Sequence, residues 1–370
     1  MGSSTSTIEG FRGSSVVFLL SNLLSNMLHS TSTLIASCLL KNYTVNEHPL
    51  KNHPLKLIID TLHEDDDPWD IEWMMFNVLN DFLQPDTKLS VDEAARCLDA
   101  IVPDNRPNKP GQEKEPALNW MLEMSDLIWK VAKQIPCDHE SQEKLVQLLG
   151  ALRRLPITAT CNHGGPELPI WRESFDGWCD SERHSLVTPE KRNNPPKTEC
   201  EQYINANAFL ARVRAAGVMK CCDYLYGYSA VQDAVKDTTI DESPKGNVLP
   251  CHIVSGAQWV VQATEWLWSQ IRWGKIDCRE VKDDASKYLP FPPSLWVAWL
   301  RGFQQVAVTV EEDDVKYWAG LAVTKMEETM RTHGFTVEKM EAWDPAKRSL
   351  RADIWEDEKY AHLFKVPEKA

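Results

Sequence analysis

Glycine is scarce in this chain, at 16 of 370 residues. Tight β-turns draw on glycine for positive φ, so a hairpin-rich sheet protein is disfavoured. Series of alternating β-branched segments are missing too, and Phe335–Met340 is the best lone strand candidate. Basic charge is also short. The 40 Lys and Arg face 54 Asp and Glu, for a net charge of −14. Such a field repels phosphate backbones and anionic lipid heads, which counts against nucleic acid as a partner. The pairs Arg153–Arg154 and Arg212/Arg214 make no basic stripe and read as solvated helix faces.

Catalytic signatures are absent as well. No GxGxxG, P-loop, GxSxG or HExxH occurs. His163-Gly164-Gly165 resembles an esterase oxyanion loop, but without a nucleophile elbow it reads as a turn. The ten cysteines (Cys38, Cys97, Cys137, Cys161, Cys179, Cys200, Cys221, Cys222, Cys251 and Cys278) contain no CxxC. They read as reduced, mostly buried thiols in a reducing compartment. Cys161, His163, Cys179 and His184 match no zinc spacing. The acidic runs His63–Asp67 and Glu311–Asp314 lack the glycine and alternation of a calcium loop, and both stand where a helix begins. No metal and no cofactor is expected.

Residues 1–45 differ from the rest, being rich in Ser and Thr with few charges. Val16–Leu28 is apolar but broken by Ser and Asn, and too short to span a membrane. Met1-Gly2 with Ser6 fits an N-myristoylation pattern. A targeting segment, an acylated leader and a misassigned start stay open here. The near-repeat His48–Asn52 (HPLKN) and His53–Leu57 (HPLKL) follows, and its prolines mark an extended connector.

The body reads as helices. Asp65–Leu83 opens on acids and Pro68, and Ser90-x-x-Glu93 is a capping box. The next helix starts at Pro116 and stops before Pro136. Leu145, Leu148, Leu149 and Leu152 then keep helical spacing until Pro156. Residues 156–198 break the pattern, with a short helix expected near Trp171–Trp178, and 237–250 is a second weak zone. Glu199–Val235 is helical for much of its length, with Gly217 and Gly227 as points of bend or stop. Helices follow at 256–275, at 294–308, and from a capping box Thr309-x-x-Glu312 to a C-terminal Gly334. The expected fold is all-α: a leader 1–45, one irregular multi-helix domain with long loops over 46–334, and a charged tail 335–370.

Tryptophan, by contrast, is plentiful, with 15 residues. Trp259, Trp266 and Trp273 recur every seven positions and share one helix face. Trp296, Trp299, Leu300 and Phe303 repeat the arrangement, as do Trp318, Ala322 and Met326. Facing aromatic stripes predict mutual burial. Trp268 falls off its stripe and reads as a surface or groove residue. The competing expectation is a pocket between the C-terminal helices, lined by Trp259, Trp266 and Trp296 with Arg212 and Glu265 as polar groups. Asn205 and Asn207 read as capped or exposed side chains.

Five ordered segments carry a family resemblance: IPCDHESQEKLVQLLGALRRLP, YINANAFLARVRAAGV, AQWVVQATEWLW, LWVAWLRGFQQVA and AGLAVTKMEETM. Together they resemble a fungal family catalogued as domain of unknown function 3632, over roughly residues 120–330. The resemblance implies a helical intracellular protein and brings no activity and no catalytic residues. Two functions are expected as alternatives. One is a cytoplasmic, non-enzymatic interaction or accessory protein, touching a membrane only through its leader if at all. The other is a binder or enzyme for a small apolar metabolite in the tryptophan pocket. Whether catalysis occurs, and in what oligomeric state, the sequence leaves open.

Overall fold

The computed structural model describes residues 53–59, 70–108, 113–162, 167–174, 195–218, 224–236, 247–271 and 291–342. Contacts gather Leu50–Ala370 into one unit and Met1–Pro49 into another, and every described residue belongs to the first. The leader, Trp273, His163, Cys179, His184 and the tail beyond 342 lie outside the described residues.

Four helices build the N-terminal half: α1 (Asp70–Leu83), α2 (Val91–Ile101), α3 (Ala117–Gln134) and α4 (Glu140–Arg154). The start of α2 is the expected capping box, with both Ser90 and Glu93 side chains bonded to each other's backbone. On α4, Leu145, Leu148, Leu149 and Leu152 are all buried, as their spacing requires. The excursion after Pro156 holds a two-stranded antiparallel hairpin, β1 (Thr160–Asn162) and β2 (Glu167–Pro169), followed by a π-helical turn at Ile170–Ser174. Asp99 fastens this hairpin to α2, its Oδ1 accepting from Thr158 Oγ1 and from Trp171 Nε1, each at 2.8 Å.

The C-terminal half comprises α5 (Lys197–Ala215), α6 (Tyr224–Lys236), α7 (Val248–Ser269), α8 (Pro293–Thr309), α9 (Asp313–Thr332) and the short α10 (Val337–Glu341). Helix α7 is the centre. It packs against α5, α6 and α9, and every residue from Cys251 to Val260 is buried. A helix buried around its whole circumference needs neighbours on all sides. Small residues let those neighbours approach. A Cβ on Gly256 of α7 would stand 2.5 Å from Ala234 Cβ and 2.6 Å from the Ala230 carbonyl oxygen of α6.

The structure corrects several expectations. Phe335–Met340 is not a strand but enters α10, capped by Thr336. Thr309 closes α8 rather than capping α9, and its hydroxyl donates back to the Gln305 carbonyl at 2.9 Å. Gly217, at φ 62°, does end α5, and Gly334, at φ 74°, does follow α9. Gly227 neither bends nor stops anything. It lies inside α6, where a Cβ would meet the Trp259 ring at 2.9 Å.

Ahead of α1, residues 53–59 run extended along the N-terminal half. Leu57 and Ile59 are buried, Leu55 is half-buried, and Lys56 and Ile58 face outward. This is the period-two alternation of a strand. Side chains hold the backbone of His53, Leu55 and Ile58, as described below.

Candidate functional site

The tryptophan region is a filled aromatic centre. Trp259 and Trp296 are 0% exposed, so neither ring borders a space that admits a water molecule. Trp259 donates its Nε1–H to Asn207 Oδ1 at 2.9 Å, and Asn207 in turn donates to the Tyr203 carbonyl. Buried indole N–H groups need such a partner. Trp266 lies 5.9 Å from Trp259 and is half-buried, with the Arg214 guanidinium 4.7 Å above its ring. This cation–π contact covers the outer side of the stripe. Neither Asn207 nor Arg214 is the solvated side chain expected from the sequence.

Trp268 is corrected most sharply. It is only 5% exposed, stacked on His333 at 5.0 Å and set edge-on to Trp296 at 5.1 Å. Nine residues separate it from Trp259, which places it on the opposite side of the helix. The far side of α7 is also walled, by α9, so both faces bury tryptophan. Between them Ala263 departs from helical geometry, at φ −131° and ψ 29°.

The two polar candidates point elsewhere. Glu265 is exposed, at 60% of its side chain, and its Oε2 sits 2.9 Å from His333 Nε2 while Oε1 accepts from Thr329 at 3.4 Å. Arg212 is half-buried and donates to the Cys137 carbonyl at 2.7 Å and to Ala208 at 3.2 Å. It therefore ties α5 to the turn between α3 and α4. Burial pulls its pKa below the usual arginine value, against the charges of Glu143 and Asp138. Gln258 Nε2 stands 3.5 Å from the Cys137 sulfur. Burial, reinforced by the Asp138 charge, pushes that thiol up to about 12. A thiol so suppressed is a poor nucleophile. Asn205 is likewise a buried tie, donating to the Lys133 carbonyl at 2.9 Å. Of the five candidates, Trp259 and Trp266 meet, Trp296 reaches the stripe's other side through Trp268, and Arg212 and Glu265 serve separate contacts.

No group of three His, Cys, Asp or Glu side chains that could hold a metal occurs among the described residues. Of Cys161, His163, Cys179 and His184, only Cys161 is among the described residues, and it is buried on β1. A hollow beside Leu152, Pro156, Ile170 and Trp171 holds about 10 Å³, the room of one water. Among the described residues no helix is long and apolar enough to cross a membrane.

A family model matches residues 126–345, more than half of the chain, under the description "Protein of unknown function (DUF3632)". The chain belongs to this family. The DUF3632 region begins within α3 and closes after α10, with α7 near its middle. No curated protein and no solved structure matches the chain.

The groups that hold residues 53–59 went unnamed in the sequence, because they come from the ends of three separate helices. Gln84, just past α1, accepts from Leu55 N–H at 3.0 Å and donates to Leu55 C=O at 3.3 Å. Gln134, the last residue of α3, does the same to Ile58, at 2.8 and 2.7 Å. His139, the N-cap of α4, donates from Nε2 to the His53 carbonyl at 2.9 Å and accepts Ser141 N–H on Nδ1 at 3.1 Å. Those two bonds fix the tautomer with its proton on Nε2. The one sequence signal was the alternation Leu55, Leu57, Ile59 in the second HPLK copy.

Proposed function

We propose that this DUF3632 protein is a non-enzymatic interaction protein, cytoplasmic and of fungal origin, rather than a binder of small apolar metabolites. One observation carries the reading: the Trp259 and Trp296 rings are fully buried against other side chains. Ligand pockets are concave spaces of some hundreds of Å³ with converging polar groups. The fully buried Trp259 and Trp296 border no such space, and Arg212 and Glu265 make their contacts elsewhere. The suppressed Cys137 thiol fits a structural role. The net charge of −14 favours basic or neutral protein partners over phosphate-bearing ones.

Thermal-shift titration with a panel of apolar metabolites tests this directly. The expected result is no saturable stabilisation. A saturable shift that disappears in Trp266→Ala, with its cooperative melt retained, would overturn the reading. Cross-linking of the tagged full chain in its native host should in turn give a reproducible protein adduct in stoichiometric yield.

A further inference from the structure

Residues 53–59 are bound the way a receptor binds a peptide. The two side-chain amides of Gln84 and Gln134 each engage both the N–H and the C=O of one residue, at positions three apart. Backbone recognition of this kind is indifferent to side-chain identity. Selectivity comes from the other face, where Leu55, Leu57 and Ile59 turn inward. His139 fixes the start by taking the His53 carbonyl. The preceding copy, His48–Asn52, would place the same Leu50 at Gln84. It would also put Asn52 where Leu57 is buried and Pro54 where Ile59 is buried. The apolar alternation therefore selects the second copy and one register.

We propose that this groove is a peptide-binding site which the 53–59 segment of a second copy can enter, so that two chains exchange arms. The proposal names a partner for the interaction reading above and rests on it. The segment that fits the groove is present in every copy. Ten residues lie between Ile59 and Asp70, enough to span on the order of 35 Å. Helix α1, whose far end carries Gln84, is only about 21 Å long at 1.5 Å per residue. Fully extended, the connection is thus longer than α1. Exchange of an identical element forms the same contacts in trans as in cis, which makes it a low-cost route to a dimer.

Two full-chain variants test it. Leu57→Asp/Ile59→Asp spoils the arm and leaves the groove, while Gln84→Ala/Gln134→Ala spoils the groove and leaves the arm. A fluorescein-labelled peptide of residues 51–61 should bind the first variant saturably. Its apparent Kd for the unaltered chain should be at least about tenfold weaker, since the tethered arm competes at an effective concentration near millimolar. Mixing the two variants should give a 1:1 heterodimer in sedimentation velocity, with each alone monomeric. Peptide binding without heterodimer overturns the second copy as occupant. No peptide binding by a variant that keeps its helical circular dichroism and cooperative melt overturns the groove as a receptor. Should the arm variant fail to fold, a protease site placed within residues 60–69 lets the arm be cut in the otherwise unaltered chain. Exchange of labelled peptide into the nicked protein then supports the groove as a receptor, and failure to exchange over days overturns it. Neither failure touches binding to other proteins, which the cross-linking experiment reads separately.

Discussion

At the scale of single residues, the protein spends its polar groups on joining helices. Asn207 is the test case. Its Oδ1 is the acceptor for the fully buried Trp259 N–H, and a buried donor left unmade costs about 1–3 kcal/mol. Asn207→Ala should lose about that much in urea unfolding, with an unchanged fold by circular dichroism. The thiols give a second test. Cys97 is exposed, whereas Cys161, Cys200 and Cys251 are buried and Cys137 is pushed up to about 12. At pH 8, iodoacetamide followed by peptide mapping should modify Cys97 ahead of those four, which should be spared until denaturant is added. Glu123 gives a third. Burial, and secondarily the Asp126 charge, raises its carboxyl pKa above the usual range. The native state then holds its proton at a pH where the unfolded chain has lost it, so stability falls as pH rises through that window. Glu123→Gln should flatten the decline that begins above about pH 4.3, the ordinary glutamate value, in a stability–pH series.

At the scale of elements, helix contacts depend on where side chains are missing. Gly256→Ala forces a Cβ against the α6 backbone, and overpacking of this kind costs about 1–3 kcal/mol. Gly320→Ala, mid-helix in α9, meets nothing within 4 Å and should stabilise by about 0.5–1 kcal/mol through backbone entropy alone. Opposite shifts in melting temperature check the pair. The elements themselves were largely legible. The capping box at Ser90, the leucine spacing on α4 and the terminal Gly334 each mark a local rule that the chain obeys. What escaped was set by neighbours far away in sequence. Periodicity gave Trp259 and Trp266 a common face correctly, yet it assumed that α7 has one buried side. Trp268 is buried because α9 closes the other side, and Arg212 is drawn inward because the Cys137 carbonyl lies within reach. Thr309 misled because a cap and a helix end share the same residue types. The candidate site failed to converge for the same reason, since a stripe of rings looks alike whether its partner is a ligand or another ring.

At the scale of the whole molecule, the two halves meet through α5, which packs on α3 and α4 and also on α7. Hydrogen exchange should rank accordingly. Amides from Ile253 to Val260 should exchange near the rate of global unfolding, and those of α10 far faster. Uniformly fast exchange across α7 would contradict the sealed centre. The enclosure of α7 also has a bearing on synthesis. Chains leave the ribosome from the amino end, so α5 and α6 are ready to receive one flank of this helix, but its Trp268 flank is not closed until α8, with Trp296, and His333 beyond α9 have both been made. During that interval the nascent protein shows its greasiest surface to the cell, and holdase chaperones should capture truncated products ending near Ser269 far more often than the finished one.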